Sequence, residues 1–173
     1  LLRIESEPNR WDDPDVRSKL ETTSDRIIKE FYEFQAYISF GNRLNEKLEG
    51  TEADIDRDWV HENFDNRLVI IDEAQNITTE ATGVARGLEK LVKIANGMVL
   101  VLLTATPMYD TFEEIVFFMN LFLWNARKQD FGTSIKTSDL FTPEADLKKG
   151  EPEKKFREWC QEYVSYVKGE SPF

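Results

Sequence analysis

Two short runs of consecutive apolar residues, Leu68-Val69-Ile70-Ile71 and Met98-Val99-Leu100-Val101-Leu102-Leu103, constrain the fold of this chain most tightly. Neither run alternates with polar residues, so neither suits a strand with one wet face. Unrelieved β-branched runs of this length predict strands buried on both faces, as in a parallel sheet. Between them Val84, Leu88, Leu91, Val92 and Ala95 recur at helical spacing, and Asn96-Gly97 supplies a helix stop. After the second run, Phe112, Ile115, Val116, Phe118, Met119, Phe122 and Leu123 form another helical pattern, apolar around much of its circumference. Strand, helix, strand, helix in this order predicts an α/β fold with a mainly parallel sheet.

The remaining sequence is less sharply patterned. Of 173 residues, 40% are apolar, enough for a sizeable core and against wholesale disorder. The stretch from Glu5 to Pro14 reads as irregular because of its prolines, with a helical or mixed segment from Asp25 onward. Residues 41–65 are polar and acidic and predict a helical excursion around Leu44, Leu48, Ile55 and Trp59. Residues 126–151 read as a mixed-charge linker. Residues 152–173 carry a final amphipathic helix marked by Phe156, Trp159, Cys160, Tyr163, Val164 and Val167. The chain opens on Leu1 rather than Met and is expected to be a piece of something longer.

Charge narrows the functional classes. The chain has 22 basic and 33 acidic side chains, a net charge of −11. Residues 1–66 hold 17 acids and 9 bases, so most of the imbalance lies there. This excludes a free-standing module that grips nucleic acid or anionic membrane by charge alone. The longest apolar run is far too short to span a bilayer, no signal peptide opens the chain, and a single cysteine rules out an internal disulfide framework. An intracellular, non-secreted protein without membrane partners is expected.

Candidate chemistry sits where the two apolar runs end. Asp72-Glu73-Ala74-Gln75 follows the first directly, and a buried parallel strand delivers such residues to the carboxyl edge of the sheet, where α/β folds bind ligands. Two consecutive acids there can divide the labour of a nucleotide site. One holds Mg²⁺, largely through water, and the other orients and deprotonates the attacking water. A helix N-terminus that happens to begin with acids is the plainer alternative. Thr104-Ala105-Thr106-Pro107 follows the second run, 32 residues after Asp72, and its alternate hydroxyls can bond to groups at the same edge. Its plainer reading is a strand end with Thr106 capping a helix that starts at Pro107.

Together these residues resemble superfamily 2 helicases and translocases, with Asp72-Glu73-Ala74-Gln75 similar to motif II (Walker B) and Thr104-Ala105-Thr106 to motif III. The run around Tyr32-Glu33-Phe34, the segments Val69–Ile77 and Leu103–Asp110, and the stretch Tyr163–Phe173 are most similar to the transcription-associated helicase-like NTPases of large cytoplasmic DNA viruses (poxviruses, asfarviruses and giant viruses). The resemblance implies part of a RecA-like three-layer domain, an incomplete first helicase lobe with residues 67–125 as its core. It implies ATP or another NTP as substrate with Mg²⁺ as cofactor. DNA or RNA, a second RecA-like domain and viral transcription machinery are the implied partners, in a virus particle or host cytoplasm. Asp72 would organise Mg²⁺ and Glu73 would activate the attacking water. Gln75, where the family more often has His or Asp, would contact the third motif or the second lobe and sense the nucleotide. Thr104, Ala105 and Thr106 would couple nucleotide state to the nucleic-acid track.

No Gly-x-x-x-x-Gly-Lys-Ser/Thr loop occurs in the sequence; Gly83-Val84-Ala85-Arg86-Gly87 lacks both the lysine and the spacing. These 173 residues alone are therefore expected not to hydrolyse ATP. Two further readings stay open: a catalytically degenerate lobe serving as a structural or transcription-factor subunit, and another P-loop class such as an AAA+ ATPase. His61, the sole histidine, reads as a solvated or capping residue. Cys160 reads as a core residue, and the Lys148-Lys149 and Lys154-Lys155 pairs as solvated linker.

Overall fold

A computed structural model describes residues 13–78, 83–108, 111–128 and 134–166. The chain divides into two compact units, residues 1–36 and 37–173. In the first, helix α1 spans Pro14–Phe31. The Asp13 carboxylate accepts from the Asp15 N–H at 2.9 Å, and Pro14 occupies the first helical turn, where its missing N–H costs nothing. The helix thus begins well before the expected start near Asp25, because Pro14 opens it rather than breaking it. The rest of the stretch expected to be irregular lies mainly outside the described residues.

The second unit runs α2 (Tyr37–Leu48), α3 (Arg57–Phe64), β1 (Leu68–Ile71), a 3₁₀ turn (Ala74–Thr78), α4 (Val84–Ile94), β2 (Val99–Leu102), α5 (Glu113–Asn125), the short α6 (Thr137–Leu140) and α7 (Glu151–Tyr163). Strands β1 and β2 pair in parallel, Leu68 opposite Val99 and Ile71 opposite Leu102, with α4 as the crossover. This is an α/β fold with a small parallel sheet, consistent with a fragment of a RecA-like domain. Among the described residues the sheet has two strands.

Burial on both strand faces, expected from the apolar runs, does not hold. Register and alternation place Leu68, Ile70 and Val99 on one face, where they are 59%, 54% and 55% exposed. Ile71 and Leu100 on the other face are buried with Leu88, Leu91 and Val92 of α4 and Val116 and Met119 of α5.

The expected excursion over residues 41–65 is a layer of this core. Leu44, Leu48 and Val60 are fully buried, and Ile55 and Trp59 pack against the cluster. Helices α2 and α4 approach closely because Gly87 has no side chain: a Cβ there would lie 2.5 Å from the Leu44 Cβ. The expected linker over 126–151 also contributes, through α6 and the buried Ile135, Leu140 and Phe141. Ile135 is held by the buried Asn120, whose amide accepts from its N–H at 2.7 Å and donates to its C=O at 2.9 Å. The Arg127 guanidinium donates to the carbonyls of Val92, Ala95 and Trp124, stopping α4 and α5 together. Helix α7 buries Trp159, while Val164 is already extended and Val167 lies outside the described residues.

The amino ends of the strands are tied by their preceding loops. The Asn66 N–H donates to the Asn96 carbonyl at 2.9 Å, and the Asp65 carboxylate accepts from the Asn96 N–H at 2.7 Å and faces His61 Nδ1 at 3.1 Å. These bonds, led by the Asn96 amide, hold the Asp65 carboxyl below the usual carboxylate range. No helix among the described residues is long and apolar enough to cross a membrane.

Two outcomes follow from this packing. Gly87→Ala should destabilise the fold by roughly 1–2 kcal/mol in urea unfolding, since overpacking against Leu44 outweighs about 1 kcal/mol of helix propensity; a stabilised variant would show that α2 and α4 are not in this contact. Because the Asp65 pKa is lowered on folding, its contribution is present above about pH 4 and is lost as pH falls through the folded value. Asp65→Asn should therefore unfold at lower temperature than the parent at pH 7, by a margin that narrows as the pH falls below about 4. A deficit that persists undiminished at pH 2 would contradict this origin.

Candidate functional site

The carboxyl ends of β1 and β2 converge on one irregularity in the ladder. The Leu103 N–H donates to the Ile71 carbonyl at 2.8 Å, as parallel pairing requires. The regular pattern would next bring the Glu73 N–H to the Leu103 carbonyl. The Ala74 N–H takes that place instead, at 2.8 Å, so one extra residue is looped out as a bulge. Glu73 accommodates it with a left-handed backbone, φ 53°, a conformation that costs a non-glycine residue about 1–2 kcal/mol.

Each backbone group released by the bulge has a partner. The Glu73 N–H donates to Asp72 Oδ1 at 3.0 Å. The Asp72 carbonyl accepts from the Tyr37 hydroxyl at 2.5 Å, and the Glu73 carbonyl accepts from the same hydroxyl at 2.9 Å and from the Asn76 N–H at 2.9 Å. Burial, then the nearby charges of Asp72 and Glu73, push the Tyr37 phenol up to about 12, so it remains a donor throughout the physiological range. Beyond the bulge, Ala74 and Ile77 are fully buried and anchor the 3₁₀ turn. Asp72 and Glu73 stay exposed at the sheet edge.

Gln75 joins the two strand ends. Its Nε2 donates to Glu73 Oε2 at 2.7 Å, and its Oε1 accepts from the Thr104 hydroxyl at 2.5 Å. The amide orientation follows from the carboxylate, which can only accept. Thr104 Oγ1 in turn accepts from the Thr106 N–H at 3.0 Å. A continuous line of polar contacts thus runs from Glu73 through Gln75 and Thr104 to the Thr106 backbone. Ala105 and Thr106 are exposed, and Thr106 does not start a helix at Pro107: α5 begins at Glu113.

Two residues of this neighbourhood were not singled out by sequence reasoning. Tyr37 stands 35 positions before Asp72, in the segment that reads as helical or mixed from Asp25 onward. Glu114, largely buried in the first turn of α5, accepts from the Thr78 hydroxyl at 3.1 Å, while Thr78 also donates to the Gln75 carbonyl at 3.0 Å. An acid embedded in the apolar Phe112–Leu123 pattern was the available signal. The other candidates lie elsewhere. His61 belongs to the loop network at the opposite end of the strands, and Cys160 is half-buried on α7 with its thiol pushed up by burial.

The donor set at the edge is two exposed carboxylates with no clustered third acid, His or Cys among the described residues. That is too few for an all-protein cage of a transition metal or Ca²⁺. It fits Mg²⁺, which takes one or two carboxylates and completes its shell with water and phosphate oxygens.

Two proteins of Acanthamoeba polyphaga mimivirus, each named as an ATP-dependent RNA helicase, are similar in sequence. One is 28% identical over 90% of this chain and the other 26% identical over 92%. The chain is related to helicase-like proteins of a giant virus. It spans 15% of the length of the first relative and 26% of the second. No protein-family model and no solved structure matches it.

Proposed function

We propose that this chain is the motif II and motif III part of the first RecA-like lobe of a superfamily 2 NTPase, coupling NTP hydrolysis to movement on RNA or DNA. The observation that carries this reading is the bridge by which Gln75 joins the Glu73 carboxylate to Thr104 across two βα edges. An ornamental acidic turn has no need of such a link. A site that must pass the state of a hydrolytic carboxylate to a neighbouring strand does. The names of the mimivirus relatives support ATP as the nucleotide and RNA as the track.

In this reading Asp72 would hold Mg²⁺ through its exposed carboxylate, and the ion would neutralise charge on the phosphates. Glu73 accepts the proton of the water that attacks the γ-phosphorus; the bond from that phosphorus to the β–γ bridging oxygen breaks, the nucleoside diphosphate leaves with that oxygen, and inorganic phosphate is formed. Gln75 cannot titrate; it keeps one oxygen of Glu73 oriented and reports its position to Thr104 and Thr106. The phosphate-cradling loop comes from outside these 173 residues, as does the second lobe. The protein acts in viral transcription, in the particle or in the cytoplasm of the infected cell.

In the full-length protein, Glu73→Gln should lower kcat for nucleic-acid-stimulated ATP hydrolysis by about 10²-fold or more, the scale of a lost general base, with nucleotide affinity within about twofold. Turnover at the parental rate in that variant would refute the role of Glu73. A full-length parent without any such turnover would instead identify the lobe as degenerate.

A further inference from the structure

We propose that Tyr37 is a positioning residue for the Asp72–Glu73 pair, a latch that fixes the bulge presenting both carboxylates. The inference rests on the NTPase reading above for its effect on turnover, but its structural half stands on geometry alone. In a regular parallel ladder the Glu73 carbonyl would face β2 and the Asp72 carbonyl the opposite side; looping Glu73 out turns its carbonyl away from β2 to join that of Asp72. The Asp72 and Glu73 carbonyls both point at the Tyr37 hydroxyl, which shares its single proton between them. Tyr37 is the first residue of α2, whose Leu44 and Leu48 are fully buried, so the hydroxyl is delivered from a rigid base rather than from a loop. The Asn76 N–H supports only the Glu73 carbonyl. The Tyr37 hydroxyl joins the two carbonyls, and by holding that of Glu73 beside that of Asp72 it opposes a return to regular pairing. Regular pairing would require the Glu73 N–H to leave Asp72 Oδ1 for the Leu103 carbonyl, shifting both carboxylates along the edge. The hydroxyl meets only backbone carbonyls, so the latch itself takes up no carboxylate oxygen of Asp72 or Glu73.

The test uses Tyr37→Phe, which removes one oxygen and keeps the ring in its packing, in the full-length protein. Expected is a fall in kcat of about tenfold or more with KM for the nucleotide within about twofold, since misplacing a catalytic group is paid in turnover. Hydrogen exchange read by mass spectrometry should show the segment 72–76 exchanging about tenfold faster, while 99–103 is unchanged. Unaltered exchange at 72–76 overturns the latch, and so does unaltered kcat with faster exchange, which would leave Tyr37 a purely local contact. Faster exchange across the whole of both strands also overturns it, by showing general destabilisation. Glu73→Gln is measured alongside. If that variant keeps parental turnover, the NTPase reading fails and the exchange data alone decide the latch. If it loses turnover while Tyr37→Phe does not, only the latch fails.

Discussion

The hydrogen bond from the Ala74 amide to the Leu103 carbonyl decides what the carboxyl edge of this sheet presents. By taking the place of the Glu73 amide it forces one residue out of the ladder and turns Glu73 to positive φ. The local cost is of the same order as one or two ordinary hydrogen bonds. It is offset by the Asp72 side chain on the Glu73 amide, by the Tyr37 hydroxyl on two carbonyls, and by full burial of Ala74 and Ile77 immediately beyond. Two adjacent carboxylates remain exposed at the edge, with Gln75 holding one of them to the neighbouring strand.

That arrangement depends on a rigid support. The parallel register is tied at its amino end by Asn66, Asp65 and Asn96, and at its other end by Ile71 and Leu103. The close α2–α4 contact at Gly87 sets where α2 lies, and therefore where Tyr37 reaches. Arg127 fixes the ends of α4 and α5, and Glu114 at the start of α5 supports the 3₁₀ turn through Thr78.

Much of this was legible in the residues. The runs at 68–71 and 98–103, with helical spacing between, announced a parallel βαβ unit, and acids and hydroxyls directly after each run marked its edge. What stayed hidden has physical reasons. An apolar run declares a capacity for burial on two faces, not which face has a partner, so the exposure of Leu68 and Ile70 could not be read. The helical excursion around Leu44 and Leu48 was readable but not its packing against α4, which depends on Gly87, and the core contribution of 126–151 rests on few apolar residues among many polar ones, Leu140 and Phe141, below what periodicity detects. A proline breaks a helix from inside but opens one from its first turn, and the residues around Pro14 do not say which. The bulge has no residue signature at all, since Glu73 is an ordinary L-residue in a glycine-like conformation, and Tyr37 meets it only through tertiary packing.

The most direct measurement of this account is the through-hydrogen-bond scalar coupling at the sheet edge, recorded by NMR on isotope-labelled protein. A coupling between the Ala74 amide nitrogen and the Leu103 carbonyl carbon is predicted, with none from Glu73 to Leu103. A Glu73–Leu103 coupling would mean a regular ladder without a bulge, and would contradict the geometry on which the carboxylate pair, the Gln75 bridge and the Tyr37 latch all depend.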